Sequence, residues 1–246
     1  MIKSARQEEL MRFLQDKKYS SVQEIGGAIY ASPATIRRDL KALEAQGLVR
    51  LFHGGVMLAQ MDGINVPLSI RENERTEKKK SIAWRAAQMV PPKASVMLDA
   101  SSTTMYMADY LDPANENVVF TNCLRTAMKL CERQIPTYCI GGSIIPLSLA
   151  ATGTLAESAV SMLQVDYLFF SSQGLDEEGR ITDRSDQETL LRRSMIRHAQ
   201  NCFFLCDSGK FDKHLLFGVC NARDVAGVVS DADDLNIPGV HWFKAT

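Results

Sequence analysis

Residues 32–40 read Ser32-Pro33-Ala34-Thr35-Ile36-Arg37-Arg38-Asp39-Leu40, and this stretch decides the character of the N-terminal part of the chain. Ser32 suits an N-cap, and Pro33 suits the first helical position, whose N–H has no intrahelical partner to lose. Ile36, Leu40 and Leu43 recur at i, i+4 and i+7 and make one apolar face, while Thr35, Arg37, Arg38 and Lys41 point elsewhere. Gly47 closes the helix. Leu48 to Met57 (LVRLFHGGVM) then reads as two short strands around a Gly54-Gly55 turn.

Upstream, Leu10, Phe13, Leu14 and Lys17 follow helical spacing, with the lysine where the apolar face meets solvent. Ser21-Val22-Gln23-Glu24 is a capping box, and Val22, Ile25 and Ile29 are the buried stripe of the helix it opens. Gly26 and Gly27 sit inside that helix, each costing about 1 kcal/mol against alanine, and are expected to allow close packing against a neighbouring helix. Helix, capped helix, short turn, helix and hairpin make a winged helix-turn-helix over residues 1–57. Its second motif helix would present Thr35, Arg37 and Arg38 to a DNA major groove, with the hairpin wing along the backbone. Charge agrees: residues 1–57 hold nine Lys/Arg against six Asp/Glu, and the remainder holds 19 against 23. An arginine pair alone is more often a solvated helix face; the whole arrangement turns the reading to DNA.

The stretch 32–40, followed by Leu43-Glu44, Gly47 and His53-Gly54-Gly55, resembles the signature of the DeoR family of bacterial transcription regulators. The resemblance implies a helix-turn-helix over about 20–39. With the wing, the candidate DNA contacts are Ser32, Thr35, Arg37, Arg38, Lys41, His53 and Gly54.

Residues 58–75, with Gly63, Pro67 and alternating charges, read as a linker between folding units. Lys78, Lys79 and Lys80 then begin a helix whose apolar face includes Ile82, Ala86 and Met89, and the lysine run is expected to be a solvated turn. From Ser95 onward, residues 76–246 repeat one pattern: an apolar run, a small polar turn, a helical stretch. The runs are Ser95–Leu98, Val118–Phe120, Thr137–Ile140, Tyr167–Phe170, Cys202–Leu205 and Ala226–Val229. Strands alternating with helices predict a mostly parallel α/β sheet covered on both faces. Ligands of such sheets bind at the carboxyl ends of the strands. Here those ends carry Asp99-Ala100-Ser101-Ser102-Thr103-Thr104, Thr121-Asn122, Gly141-Gly142, Ser171-Ser172-Gln173-Gly174 and Asp207-Ser208-Gly209-Lys210. Four hydroxyls just where a helix over Met105–Leu111 begins suit a phosphate, because backbone N–H groups and the positive helix end converge there. N-capping alone would need only one of them. Lys210 supplies a counter-charge.

The resemblance to the DeoR family extends over these turns together with Gly153, Asp166, Glu188 and Phe211. It implies a sensor domain similar in fold to ribose-phosphate isomerases and glucosamine-phosphate deaminases, binding a phosphorylated sugar. The candidate effector residues are Asp99, Ser101, Ser102, Thr103, Thr104, Thr121, Asn122, Gly141, Gly142 and Lys210. Two positions depart from the family: Ser101 stands where a glycine is usual, and Gln173 where many members carry an aspartate. Glu188 with Arg192 fits an i,i+4 helix pair, a structural role.

Composition narrows the classes further. At 46% hydrophobic and 23% charged the chain is globular rather than disordered. Its apolar runs are too short to span a bilayer, and MIKSARQEEL lacks the apolar core of a signal peptide. The six cysteines form no CxxC pair and the four histidines are scattered, so no disulfide framework, metal or cofactor is expected. The expectation is a cytoplasmic regulator, a repressor of a carbohydrate-utilisation operon, binding double-stranded operator DNA as a homodimer or homotetramer and released by a phosphorylated sugar. The alternatives are a sugar-phosphate isomerase or deaminase with an accessory DNA-binding domain, and a DNA-binding protein whose large domain only assembles subunits. The enzyme needs a general base beside a carbonyl, and Ser171-Ser172-Gln173-Gly174 brings no acid.

Overall fold

A computed structural model describes residues 5–17, 19–52, 55–58 and 67–246, which fall into two compact units, Met1–Glu74 and Arg75–Thr246. The first unit holds α1 (Ala5–Lys17), β1 (Tyr19–Ser20), α2 (Val22–Ala28), α3 (Pro33–Glu44), β2 (Val49–Phe52), β3 (Gly55–Leu58) and a one-turn α4 (Leu68–Arg71) within the segment expected as linker. Its core is Leu10 and Leu14 of α1, Ile25 of α2, Ile36, Leu40 and Leu43 of α3, Val49 of β2 and Val56 of β3. The capping box of α2 is closed on both sides: Glu24 N–H donates to Ser21 Oγ at 3.1 Å, and Ser21 N–H to Glu24 Oε2 at 2.8 Å. Ser32 Oγ accepts from Thr35 N–H at 3.3 Å and starts α3. The expected hairpin is the β2–β3 pair, and β1 adds a third antiparallel strand that two residues were too few to announce. The glycine expectation needs correction. A Cβ on Gly26 would fall 2.9 Å from the Ala31 carbonyl, so it serves the chain's own turn into α3, and Gly27 faces open space.

The second unit is built on seven strands in the order β15-β14-β12-β9-β4-β5-β6. Six are the predicted runs: β4 (Ser95–Leu98), β5 (Val118–Thr121), β6 (Thr137–Cys139), β9 (Val165–Phe170), β12 (Ala199–Cys206) and β14 (Gly227–Ser230); β15 (Trp242–Lys244) completes them. Every pairing in this sheet is parallel. Side chains alternate between faces. Val96, Leu98, Phe169, Phe203 and Leu205 pack in one core with Ile82 and Ala86 of α5 (Thr76–Ala87) and Leu130 of α6 (Leu124–Glu132). Met97, Leu168, Phe170, Phe204 and Cys206 pack in the other with Val160 of α7 (Thr154–Ser161) and with Leu191 and Met195 of α8 (Asp186–Arg197). Both faces are therefore covered, as continuous apolar strands require. The antiparallel pair β7 (Ser143–Ile145) and β8 (Ala150–Thr152), and a small sheet of β10 (Gly174–Leu175), β11 (Arg180–Asp183) and β13 (Phe217–Asn221), are additions. The helix expected over Met105–Leu111 is instead a 3-10 helix over Thr104–Asp109. Cys202 and Cys206 are buried thiols, and burial pushes the Cys202 thiol up to about 11. No helix among the described residues is long and apolar enough to cross a membrane.

Candidate functional site

In the first unit, α3 turns Ile36, Leu40 and Leu43 wholly inward. Arg37, Arg38 and Lys41 are exposed on its other side, and none of them has an ion-pair partner among the described residues. Asp39, the acid between these cations, is drawn away by Arg6 of α1, whose Nε donates to Asp39 Oδ2. Ser32 and Thr35 sit at the N-terminal end of the helix with their hydroxyls 2.9 Å apart. His53 and Gly54, expected at the wing turn, lie outside the described residues.

In the second unit the strand order places the predicted turns. From β4 the chain runs outward to β5 and β6, then returns to the other side of β4 as β9 and continues to β12, β14 and β15. The reversal lies between β4 and β9, and a crevice opens at the carboxyl ends of strands at such a point. Asp99 follows β4 there, Ser171 follows β9, and Asp207 follows β12.

The predicted residues do not act as one set. Asp99, Asn122, Glu188 and Arg192 line one small cleft with Ala100, Leu191 and Met195. Arg192, only 4% exposed, binds three carboxylates: Asp99 through Nε at 2.7 Å, Asp183 through Nη1 at 2.9 Å and Glu188 through Nη2 at 2.8 Å. Burial disfavours its charge, but Asp183, Asp99 and Glu188 together outweigh that and hold its pKa above the ordinary arginine value. The Glu188–Arg192 pair read from helical spacing is thus the local part of a buried four-residue cluster. Asp183 carried no sequence signal. It is further held by Ser172 Oγ at 2.9 Å and by Gln173 Nε2 at 3.2 Å.

Ser101 and Thr104 are occupied with each other. Their hydroxyls lie 2.8 Å apart, and Thr104 Oγ1 also donates toward Asp99 Oδ1 at 3.0 Å. Ser101, where the family has glycine, therefore holds the start of the 3-10 helix from two residues before its N-cap Thr103, its Oγ accepting from Thr104 N–H at 3.2 Å. Ser102 and Thr103 are buried, and Thr103 Oγ1 has no hydrogen-bond partner among the described residues. Asn122, in the cleft wall, donates to the Ala151 carbonyl at 2.9 Å, while its Oδ1 likewise has no partner among the described residues. Thr121 accepts from Cys123 N–H, and Gly142 lies against the Thr152 backbone; neither lines the cleft, nor does Gly141.

Lys210 Nζ donates to Ser171 Oγ at 2.6 Å and stands 3.7 Å from Asp207 Oδ2, bridging the ends of β9 and β12. Burial works against charge on Asp207, yet Lys210, Lys79 and Arg75 hold its pKa below the usual carboxylate range. The lysine run is only in part a solvated turn: Lys78 and Lys80 keep 48% and 42% of their side chains exposed. Lys79 is buried, Lys78 bonds Asp231 at 2.8 Å and Ser208 Oγ at 2.6 Å, and only Lys80 stays on its own helix, with Glu77.

A winged helix-turn-helix with an unpaired basic helix, followed by a parallel α/β unit with polar strand ends, defines a DNA-binding regulator with a sensor domain. The DeoR-like helix-turn-helix domain matches residues 6–61 and the DeoR C terminal sensor domain residues 74–232, so the chain belongs to the DeoR family of transcriptional regulators. It is 29% identical to the HTH-type transcriptional regulator YulB of Bacillus subtilis, over 94% of this chain and 90% of that one. It is 29% identical to the L-fucose operon activator of Haemophilus influenzae (92% and 91% covered) and 24% identical to the glycerol-3-phosphate regulon repressor of Escherichia coli (94% and 92%). Ribose 5-phosphate isomerase A of Neisseria gonorrhoeae superposes with a TM-score of 0.40 at 12% identity, covering 54% of this chain and 52% of that one.

Proposed function

We propose that this chain is a repressor of a carbohydrate-utilisation operon, acting in the cytoplasm and released from its operator when a phosphorylated sugar binds the second unit. The observation that carries the reading is α3, whose Arg37, Arg38 and Lys41 are exposed and unpaired opposite a fully buried Ile36, Leu40 and Leu43. Exposed cations without ion-pair partners among the described residues, on a helix of this length, suit phosphates and base edges in a major groove. Ser32 and Thr35 are at the helix end that enters first, and His53 and Gly54 take the backbone.

In this reading the phosphoryl group lies by Ser101–Thr104 and Lys210, and the sugar hydroxyls reach Asp99 and Asn122 in the cleft, with the Gly141-Gly142 turn, outside that cleft, taking no part. Asn122, which lines the cleft and whose Oδ1 has no hydrogen-bond partner among the described residues, supports a ligand here. The names of two relatives, an L-fucose operon activator and a glycerol-3-phosphate regulon repressor, fit a sugar-linked signal. An isomerase is disfavoured because Asp99, the acid at the crevice, is engaged by Arg192 and position 173 is an amide.

Lys210→Ala is expected to bind operator normally and to ignore inducer. Typical couplings are about 1–3 kcal/mol, or 5–150-fold in DNA affinity, and this variant should lose that whole factor. Gel shifts with a panel of sugar phosphates, each beside its unphosphorylated parent, test it. A neutral sugar that releases DNA as well as its phosphate, or a normally responding Lys210→Ala, ends the phosphate reading.

Specific binding by one small winged helix calls for at least two copies on repeated half-sites. The β6 edge offers apolar surface for assembly: Met128 on α6 and Tyr138 on β6 are exposed, and Tyr138 stacks on Phe120 at 5.0 Å. Sedimentation should find a dimer or tetramer that Tyr138→Glu with Met128→Glu dissociates; a wild-type monomer at micromolar concentration would count against the proposal.

A further inference from the structure

Helix α2 ends in a Schellman motif. The Ala31 N–H donates to the Gly26 carbonyl at 3.0 Å, and Tyr30, between the C-cap Ile29 and Ala31, has a left-handed φ of 52°. Glycine, and less often asparagine, suits that position, because a β-carbon there crowds the following carbonyl oxygen. A tyrosine carries the cost, and nothing among the described residues offsets it. Its side chain is 96% exposed, more than any other large hydrophobic side chain among the described residues. Its hydroxyl has no hydrogen bond and its ring no aromatic or cationic neighbour among them. The strain therefore serves no packing within the first unit.

The place of Tyr30 in the motif says what it can meet. It follows α2 and stands two residues before Ser32, the N-cap of α3. On DNA the first helix of such a motif crosses the phosphate backbone, and the second enters the groove with its N-terminal residues. The turn that joins them therefore runs beside one strand of the backbone, at the end of α3 that carries Ser32 and Thr35. Phosphate oxygens only accept hydrogen bonds, and a phenol hydroxyl donates one. Tyrosine holds that donor at the tip of a rigid ring with two rotatable bonds, so it reaches out from the turn with little conformational freedom to lose. Tyrosine is also among the side chains that contact DNA phosphates.

We propose that Tyr30 is a further DNA-contacting residue, whose hydroxyl donates to a backbone phosphate beside the groove that receives α3, and that the strained turn serves this contact. This rests on the reading of α3 as the helix that enters the major groove.

The test is fluorescence anisotropy of the full-length protein with a labelled random-sequence DNA duplex, titrated at several salt concentrations. Tyr30→Phe keeps the ring and the backbone and removes only the hydroxyl. Its affinity should fall about tenfold per bound copy, the size of one hydrogen bond to a charged acceptor, while its thermal midpoint equals the wild-type value. Its salt slope should match the wild type, because a neutral hydroxyl displaces no counterion. Tyr30→Gly should bind as weakly as Tyr30→Phe and yet unfold at a higher temperature, since glycine relieves the left-handed turn. Wild-type affinity in Tyr30→Phe, with the double variant Arg37→Ala and Arg38→Ala weakened, overturns the role of Tyr30 and leaves that of α3 standing. A lowered thermal midpoint in Tyr30→Gly does the same, because the side chain would then be part of the fold. No duplex binding by the wild type, or binding that the double variant does not change, overturns both.

Discussion

Replacing Arg37 and Arg38 together with alanine is expected to abolish operator binding while thermal unfolding and effector binding stay as in the wild type. Both side chains are exposed and neither has an ion-pair partner among the described residues, so their removal takes nothing from the packing of α3. Deleting an arginine that reads a base edge costs about 1–3 kcal/mol, so the pair weakens a specific site by between about 30-fold and about 20,000-fold. The single variants separate the two roles an arginine can play. An arginine on a phosphate weakens all DNA alike and reduces the salt slope by about one, whereas an arginine on a base edge loses discrimination between operator and random DNA. Unchanged affinity in a gel-shift titration at fixed salt would remove α3 from the interface. Asp39 makes a useful contrast. Freed from Arg6 its carboxylate would be left unpaired next to Arg38, so Arg6→Ala should weaken DNA binding although Arg6 itself is on α1.

The largest stability effect is expected at Arg192. Arg192→Met leaves Asp99, Asp183 and Glu188 in a region where each is at most 6% exposed, with no cation among them. Removing one partner from a buried ionic cluster typically destabilises by about 3–5 kcal/mol, much of it from the charges left behind. In a unit of this size that lowers the melting temperature by roughly 6–20 °C. A second change, Asp183→Asn in the Arg192→Met background, should recover part of the stability at neutral pH. A midpoint within about 2 °C of the wild type would mean that the cluster contributes nothing net.

These two predictions sit at opposite ends of what can be read from the chain. Helix α3 is legible in the sequence because a cap, a proline at the first position and an apolar i, i+4, i+7 stripe lie within one dozen residues. The same holds for the Ser21–Glu24 box and for six strands of the large sheet, whose apolar runs end abruptly in small polar residues. β15 was missed because Trp242–Lys244 is short and mixed, and β1 because two residues have no period. The 3-10 geometry after Thr104 was missed because Ser101 and Thr104 bond each other and Asp99, a local competition with the helix that residue types alone do not announce.

The sequence by itself determined the elements and the residues at their ends, since capping, periodicity and turn chemistry act over a few neighbouring positions. It placed hydroxyls, Asp99 and Lys210 at strand ends and basic residues on the outer face of α3. Only the tertiary structure decided which of those ends meet. Arg192 reaches Asp99 across 93 positions and Arg75 reaches Asp207 across 132, because the reversal of strand order beside β4 brings the ends of β4, β9 and β12 side by side. That order follows from how whole strands and helices share two cores, and no local spacing records it.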